Sequence, residues 1–248
     1  MNEALTIDGL TVDFGGFKAV DGFTTVVQKG ELRVILGPNG AGKTTLMDLV
    51  SGKTASTQGS VHLFGENITN RPEHIIARHG IGRKFQIPSV FRDLTVRQNL
   101  EVAASGEPGV FRNLRLHMVA EDRARVEDVI AMTRLEPVLD TVAGELSHGQ
   151  MQWLELGMLI TQQAKVILLD EPTAGMTHAE TFRTAEIINE MKGSHTILVV
   201  EHDMAFVRKI AERITVMHMG KLLAEGPMEK IETDPKVREA YLGSGGIH

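Results

Sequence analysis

The sequence contains no cysteine, no long apolar run and no excess of basic residues, and each absence excludes a class of site or partner. Without cysteine, neither disulfides nor cysteine-based metal sites can form, as is common in a reducing compartment. No stretch approaches the length of a membrane span, and the first residues, MNEALTIDGL, lack the basic and apolar regions of a secretory signal. The net charge of −6 argues mildly against a nucleic-acid-binding surface and leaves a local basic patch open. Any work at a membrane would therefore require docking on a partner that crosses it.

Residues 37–45, GPNGAGKTT, match the phosphate-binding loop pattern G-x-x-x-x-G-K-[ST]. The preceding residues 31–36, ELRVIL, form a short apolar run that predicts a buried strand. The following residues, 43–51, predict a helix that ends at Gly52. Strand, glycine loop and helix are the context that this loop needs. A glycine-rich turn with a surface lysine is the weaker interpretation, because every fixed position matches.

The phosphate-binding loop can hold a nucleotide and its metal ion. Its glycines leave room for backbone amides around phosphate oxygens, and the helix N-terminus favours an anion. Lys43 can reach the β- and γ-phosphates, and the Thr44 hydroxyl can bind Mg²⁺. The nucleotide-binding residues predicted in this loop are Gly37, Pro38, Asn39, Gly40, Ala41, Gly42, Lys43, Thr44 and Thr45.

Two further apolar runs, VILLD at 166–170 and TILVV at 196–200, end in polar residues. In a mostly parallel sheet, such ends converge on the ligand. Asp170 could hold Mg²⁺ through water, and Glu171 could accept a proton from an attacking water. His202 could hydrogen-bond a γ-phosphate or could be a surface histidine at the end of a strand. A solvated Asp-Glu pair is the plainer alternative, but the phosphate-binding loop makes it the weaker one.

The remaining pattern predicts several other elements. Antiparallel strands are expected at 5–14 and 17–27, and an edge strand at 59–64 followed by a turn at 65–68. A further strand is expected at 81–86, ending in Gln86, and a hairpin at 214–225. Helices are expected at 72–78, 95–104, 118–132 and 146–163, and from residue 177. Ser147 is the predicted N-cap of one helix. Thr177 and Glu180 form a predicted capping box at another. A charged helical tail ends near Tyr241.

The sequence LSHGQ at 146–150 completes a set of motifs that resembles the ATP-binding subunits of ABC transporters. The motifs follow the family order: Phe14, the phosphate-binding loop, Gln86, LSHGQ, the strand ending in Asp170-Glu171, and His202. The resemblance implies an α/β fold, a RecA-like P-loop NTPase core with an antiparallel β subdomain and an α-helical subdomain. One ATPase domain would span 1–248, with the helical subdomain at about 87–160.

The same resemblance implies roles and partners. Phe14 would stack on adenine, and Gln86 would contact the metal or the attacking water and couple the site to the helical subdomain. Ser147, Gly149 and Gln150 would bind the γ-phosphate of ATP held by a second, identical or paralogous ATPase subunit. The catalytic set would be Glu171, His202, Lys43 and Gln86, and the Mg²⁺ set Thr44, Gln86 and Asp170. Two permease subunits and, indirectly, a periplasmic or extracellular solute-binding protein would complete the transporter at the cytoplasmic face of the plasma membrane.

Two positions depart from the family pattern. His148 stands where the family usually has glycine in the motif that reads LSHGQ here, and its side chain is expected to point away from the phosphate. The segment that usually ends in Leu-Asp reads Met176-Thr177, so the carboxylate that helps to organise the partner's site is missing. Thr177 is expected to serve as a helix cap.

Within the family, residues 146–158, together with EPTAGMTHAE and VVEHDMAFV, resemble the ATPase of urea transporters, with branched-chain amino-acid transporter ATPases as the alternative. Residues 87–94, IPSVFRDL, are predicted to dock on the permease. A soluble ABC ATPase that acts on nucleic acid or ribosomes is disfavoured. Members of the family that act in DNA repair have a long coiled coil in this region, but residues 52–145 carry no sustained heptad repeat. Members that act in translation usually have two ATPase cassettes, and this chain has one. A scaffold without turnover is disfavoured by the presence of Lys43, Asp170, Glu171 and His202.

Overall fold

The computed structural model describes residues 2–84, 90–105 and 119–242. The chain divides into two units. The first comprises Met1–Gly82, Lys165–Glu171 and Met191–His248, and the second comprises Arg83–Ala164 and Pro172–Glu190.

A six-stranded sheet forms the base of the first unit, in the order β10-β9-β3-β8-β7-β6. Its strands are β3 (Leu32–Leu36), β6 (Ile81–Lys84), β7 (Val166–Asp170), β8 (Thr196–Val200), β9 (Arg213–His218) and β10 (Lys221–Gly226). Strand β3 runs parallel to β8 and β9, β7 runs parallel to β8, and β10 is antiparallel to β9. Every residue of β3, β7 and β8 is buried, as expected for parallel strands covered on both faces. The mostly parallel sheet predicted from the apolar runs is confirmed.

The second sheet of this unit is antiparallel and has the order β2-β1-β4-β5, with β1 (Glu3–Phe14), β2 (Phe17–Gln28), β4 (Gln58–Leu63) and β5 (Glu66–Asn67). The strand predicted at residues 59–64 is confirmed as β4, but its predicted place at the edge of the sheet is wrong. The chain turns back at Phe64-Gly65, and β5 pairs with the outer side of β4 through His62 and Asn67. The outer strands of this sheet are therefore β2 and β5.

The helices are α1 (Lys43–Ser51), α2 (Glu73–His79), α3 (Val96–Ser105), α4 (Ala120–Thr133), α5 (His148–Thr161), α6 (His178–Met191), α7 (Met204–Ile210), α8 (Met228–Thr233) and α9 (Pro235–Leu242). In the first unit, one apolar core joins side chains of both sheets with those of α1, among them Phe23, Leu46 and Leu168. Within the described ranges, no helix combines the length and apolar character needed to cross a membrane.

The second unit is mainly helical, and α3, α4 and α5 pack against one another. Two polar contacts join α6 to this group. The indole N–H of Trp153 on α5 donates to the Thr184 hydroxyl at 3.0 Å, and the Arg183 guanidinium donates to the Met132 carbonyl of α4. The α/β class, with an antiparallel sheet and a helical region, agrees with the sequence prediction.

Candidate functional site

The loop between β3 and α1 brings the predicted phosphate-binding residues together. Gly42 is the N-cap of α1 and has a left-handed backbone, with φ of 99°. A Cβ atom at this position would overlap the Ala19 carbonyl oxygen, so glycine permits the backbone of β2 to lie directly against the loop. The first amides of α1 have no intrahelical partners and point toward the helix start. The loop thus offers an anion the N–H groups of a helix N-terminus.

Lys43 lies inside the curve of this loop. Its side chain is 8% exposed, and its Nζ donates to the carbonyl oxygens of Gly37 at 2.7 Å and Pro38 at 3.1 Å. Burial lowers the pKa of Lys43, and the carboxylates of Glu171 and Asp170 offset part of that shift. The ammonium is therefore held by its own loop and lies within the field of both carboxylates at the end of β7.

Glu171 and His202 meet beside these groups. His202 Nδ1 lies 3.4 Å from Glu171 Oε1, and both side chains remain open to solvent. Glu171 has a left-handed backbone, with φ of 48°, a conformation that is uncommon for residues other than glycine. Its amide donates to the Val200 carbonyl of the neighbouring strand at 2.9 Å. This bond fixes the turn that directs the Glu171 carboxylate toward His202.

Two residues that position His202 had no role in the sequence prediction. Glu201 is 1% exposed, and its Oε2 accepts the backbone N–H of His202 at 3.1 Å. Asp203 caps α7, since its Oδ1 accepts the N–H groups of Ala205 and Phe206 at 2.8 and 3.1 Å. The signal for Asp203 was available, because an Asp directly before a helical run is a common N-cap. The burial of Glu201 depends on strands that are distant in sequence.

The residues around Lys43 fit a nucleotide-bound magnesium ion. Thr44 is exposed in the first turn of α1, and Asp170, 5% exposed, ends β7 within the electrostatic reach of Lys43. Among the described residues, no cluster of three or more His, Cys, Asp or Glu could hold a metal by itself. One hydroxyl and one carboxylate leave coordination positions for water and phosphate oxygens, which is the pattern Mg²⁺ prefers.

Two exposed phenylalanines stand at the tip of the β1–β2 hairpin. Phe14 and Phe17 are paired across the turn and are 55% and 66% exposed. Two residues after Phe17, the Ala19 carbonyl contacts the phosphate-binding loop at Gly42. An aromatic face is therefore available close to the loop, where a base could stack on it.

The LSHGQ segment lies in the second unit and starts α5. The Ser147 hydroxyl accepts the Gln150 N–H at 3.2 Å, and the Gln150 side chain accepts the Ser147 N–H at 3.0 Å. This capping box confirms Ser147 as the N-cap. The His148 ring lies 2.9 Å from the Ala174 carbonyl and donates Nε2–H to it. The ring is thus engaged by the loop before α6.

Thr177 and Glu180 form the predicted capping box of α6. The Thr177 N–H and hydroxyl donate to Glu180 Oε2 at 2.9 and 2.8 Å, and the Glu180 N–H donates to Thr177 Oγ1 at 3.3 Å. Thr177 therefore caps a helix at the position where the resembled family has Asp. Gln86, predicted to contact the metal or the attacking water, lies outside the described residues, as do residues 87–89 of the predicted docking segment.

Tyr241 on α9 contacts the phosphate-binding loop, which the sequence did not indicate. Burial raises the pKa of Tyr241 to about 12, although a hydrogen bond with the Gly37 backbone acts in the opposite direction. Beside it, an open cavity of about 630 Å³ is lined by residues 38–41 of the loop, by the β9–β10 turn and by Lys236 and Glu239 of α9. The C-terminal helix is therefore part of the structure that supports the loop.

Two family models match this chain. The ABC transporter model matches residues 20–174, more than half of the sequence. A model described as branched-chain amino acid ATP-binding cassette transporter matches residues 221–247. The second match includes α9.

Relatives align along nearly the whole chain. The probable branched-chain amino acid transport ATP-binding protein LivG of Archaeoglobus fulgidus is 36% identical over 245 residues, covering 97% of this chain and 95% of the relative. LivG of Escherichia coli (strain K12) is 36% identical, with 96% and 97% covered. A crystal structure of an ATP-binding cassette of an ABC transporter in its ADP conformation superposes with a TM-score of 0.85 at 31% identity, covering 98% of this chain and all of that one.

Proposed function

The chain belongs to the ABC transporter family and is an ATP-binding ATPase subunit, and from this premise we propose that it drives the import of branched-chain amino acids. The assignment of the transported solute rests on the similarity, along nearly the whole chain, to relatives named for branched-chain amino acid transport. The family match at residues 221–247 supports the same assignment. The urea interpretation has no counterpart among these relatives. The alternative predicted from the sequence is therefore the better supported one.

The proposed chemistry is attack of water on the γ-phosphorus of ATP, releasing phosphate and ADP. Glu171 accepts the proton of the attacking water. His202, held 3.4 Å from Glu171, donates a hydrogen bond to the γ-phosphate. Lys43 exchanges its two carbonyl partners, Gly37 and Pro38, for oxygens of the β- and γ-phosphates. Each of these groups stabilises charge where it develops in the transition state.

Further residues are proposed to bind the magnesium ion, the adenine base and the phosphates of ATP. Thr44 and Asp170 are the proposed holders of Mg²⁺, directly or through water, with Gln86 as the third group. When bound, the ion would neutralise charge on the phosphate oxygens. Phe14 is the proposed base-stacking ring. The backbone amides and side chains of residues 37–45 surround the phosphates.

The proposed assembly is a head-to-tail pair of ATPase subunits. The N-terminus of α5, with Ser147, Gly149 and Gln150, would bind the γ-phosphate of ATP held by the other subunit, so that two-fold symmetry buries two ATP molecules. Two permease subunits at the cytoplasmic face of the plasma membrane would convert closure and reopening of this pair into transport, and a solute-binding protein would deliver the cargo.

Reconstitution of the complete transporter in vesicles tests the cargo. A leucine-loaded binding protein is expected to stimulate ATP hydrolysis several-fold over the unloaded protein, and a urea-loaded one is expected to leave the rate unchanged. The empty binding protein and a Lys43→Ala transporter are the controls. Stimulation by urea alone would overturn the branched-chain assignment. ATP hydrolysis that no permease influences would instead argue for a soluble ABC ATPase.

A further inference from the structure

A carboxylate already lies at the N-terminus of α5. Glu180 Oε1 is 3.5 Å from the Ser147 hydroxyl, which donates to it. The backbone amide of Gly149, in the first turn of α5, also hydrogen-bonds to Glu180. A Cβ atom at Gly149 would overlap the Glu180 carboxylate, so a side chain at that position would exclude this contact. Glu180 therefore binds the donors that the proposed function assigns to a γ-phosphate.

The other oxygen of the same carboxylate keeps Glu180 in place. Oε2 accepts the N–H and the hydroxyl of Thr177 at 2.9 and 2.8 Å. These hydrogen bonds from Thr177 are the main reason why the pKa of Glu180 is lowered, and the bonds from Gly149 and Ser147 add to it. The group is therefore ionised at neutral pH and is anchored on α6 with one oxygen turned toward α5.

A phosphate and this carboxylate would compete for the same donors. Both are anions, and like charges a few ångströms apart repel strongly at a protein surface. The Ser147 hydroxyl has one proton to donate, so it cannot donate to Glu180 and to a phosphate oxygen at once. Closing of the ATP-bound pair would require each Glu180 to leave the helix N-terminus.

We propose that Glu180 is an internal anion that occupies the N-terminus of α5 in a subunit outside the ATP-bound pair and must be displaced by the partner's ATP. The contact raises the ATP concentration and the subunit concentration at which the pair closes. Glu180 occupies the N-terminus of α5 and leaves the phosphate-binding loop of its own subunit free to bind ATP. This inference rests on the proposed ATP-bound pair.

The test compares the substitutions Glu180→Gln and Glu190→Gln, both on α6, in a Glu171→Gln background in which the closed pair is expected to accumulate. Glu180→Gln keeps the shape and the acceptor oxygen but removes the charge. Glu190→Gln removes the same charge from an exposed position on the same helix. The dimer dissociation constant is measured by analytical ultracentrifugation at saturating ATP. It is expected to be about tenfold lower for Glu180→Gln than for the Glu171→Gln parent, because the repulsion between Glu180 and the phosphate is removed. It is expected to be unchanged for Glu190→Gln.

Ionic strength and turnover give two further readouts. The difference in dimer dissociation constant between Glu180→Gln and its Glu171→Gln parent should become smaller at about 1 M salt, where the screening length falls to about 3 Å. With Glu171 intact, the ATP concentration for half-maximal hydrolysis should fall for Glu180→Gln alone. An unchanged or weaker dimer in Glu180→Gln, with normal thermal stability, would show that Glu180 is only a helix cap and overturn the inference. Failure of Glu171→Gln itself to dimerise would reject the ATP-bound pair, and this inference with it.

Discussion

At the scale of single residues, Glu171 is the position on which turnover depends in the proposed mechanism. Its left-handed backbone and the hydrogen bond from its N–H to the Val200 carbonyl direct the carboxylate to His202. Lys43 depends on the same region, because burial lowers its pKa and two carboxylates partly restore it. The phosphate-binding loop and the end of β7 therefore form one electrostatic unit.

Glu171→Gln is expected to bind ATP normally and to lower the hydrolysis rate by about 10²–10⁴-fold, because an amide cannot accept the proton of the attacking water. Removing the negative charge also favours the ATP-bound pair, so the variant should elute as an ATP-dependent dimer in size-exclusion chromatography. Lys43→Ala should not dimerise, since it weakens phosphate binding itself. Ser147→Arg added to Glu171→Gln should break the dimer. Hydrolysis at the native rate in Glu171→Gln would exclude Glu171 as the base.

At the scale of elements, the segment before α3 combines a fixed backbone with an exposed ring. The Phe91 side chain is 42% exposed. Its N–H donates to Asn99 Oδ1 at 2.8 Å, and its carbonyl accepts from Asn99 Nδ2 at 3.1 Å. Asn99 is fully buried on α3. An apolar ring held in this way suits contact with a permease groove, the role predicted for residues 87–94.

Phe91→Asp should leave the isolated subunit folded and able to bind ATP, because the ring contributes little to the core. It is expected to abolish copurification with the permease subunits, since a charge would replace an apolar contact. Phe182→Asp is a matched control, because Phe182 is also exposed, at 48%, and lies on α6. Copurification of the Phe91→Asp subunit at the level of the Phe182→Asp control would reject the docking role.

At the scale of the whole first unit, a buried arginine ties its two sheets together. Arg33 on β3 is 1% exposed and donates to Thr25 of β2, Thr215 of β9 and Glu225 of β10. Burial alone would raise the pKa of Glu225, but hydrogen bonds from the threonines and the charge of Arg33 outweigh it and leave the pKa lowered. Arg213 pairs with the other oxygen of Glu225 but is 52% exposed.

Arg33→Ala should lower the free energy of unfolding by about 3 kcal/mol, because it leaves a partly buried carboxylate without its main counter-charge. Arg213→Ala should cost about 1 kcal/mol or less, because that pair is open to solvent. Denaturant unfolding measures both.

The stability of the protein should also depend on pH through Glu225, whose pKa is lower in the folded protein than its ordinary value of 4.5. The ionised carboxylate contributes its full stabilisation at pH values above 4.5, and this contribution is lost as the pH falls through the pKa of the folded protein. The acid-dependent loss should be smaller in Arg33→Ala. Equal costs for the two variants would contradict this account.

The sequence by itself determined the elements whose signals are local. The glycine loop with its following helix, the apolar strands at 166–170 and 196–200, and the capping pairs Ser147–Gln150 and Thr177–Glu180 depend on neighbours within a few residues. The class of the fold follows from their order, because apolar strands that alternate with helices favour a parallel sheet.

Only the tertiary structure decided the contacts between residues that are distant in the chain. Pairing with β5 places β4 inside its sheet, the strand order buries Arg33 and Glu201, and α9 brings Tyr241 to Gly37. Glu180 is locally a helix-capping residue, and its Oε1 accepts from Ser147 only because the fold brings the start of α6 close to the start of α5. A side chain's role at such a position depends on which strands and helices become its neighbours, and no short-range pattern encodes that choice.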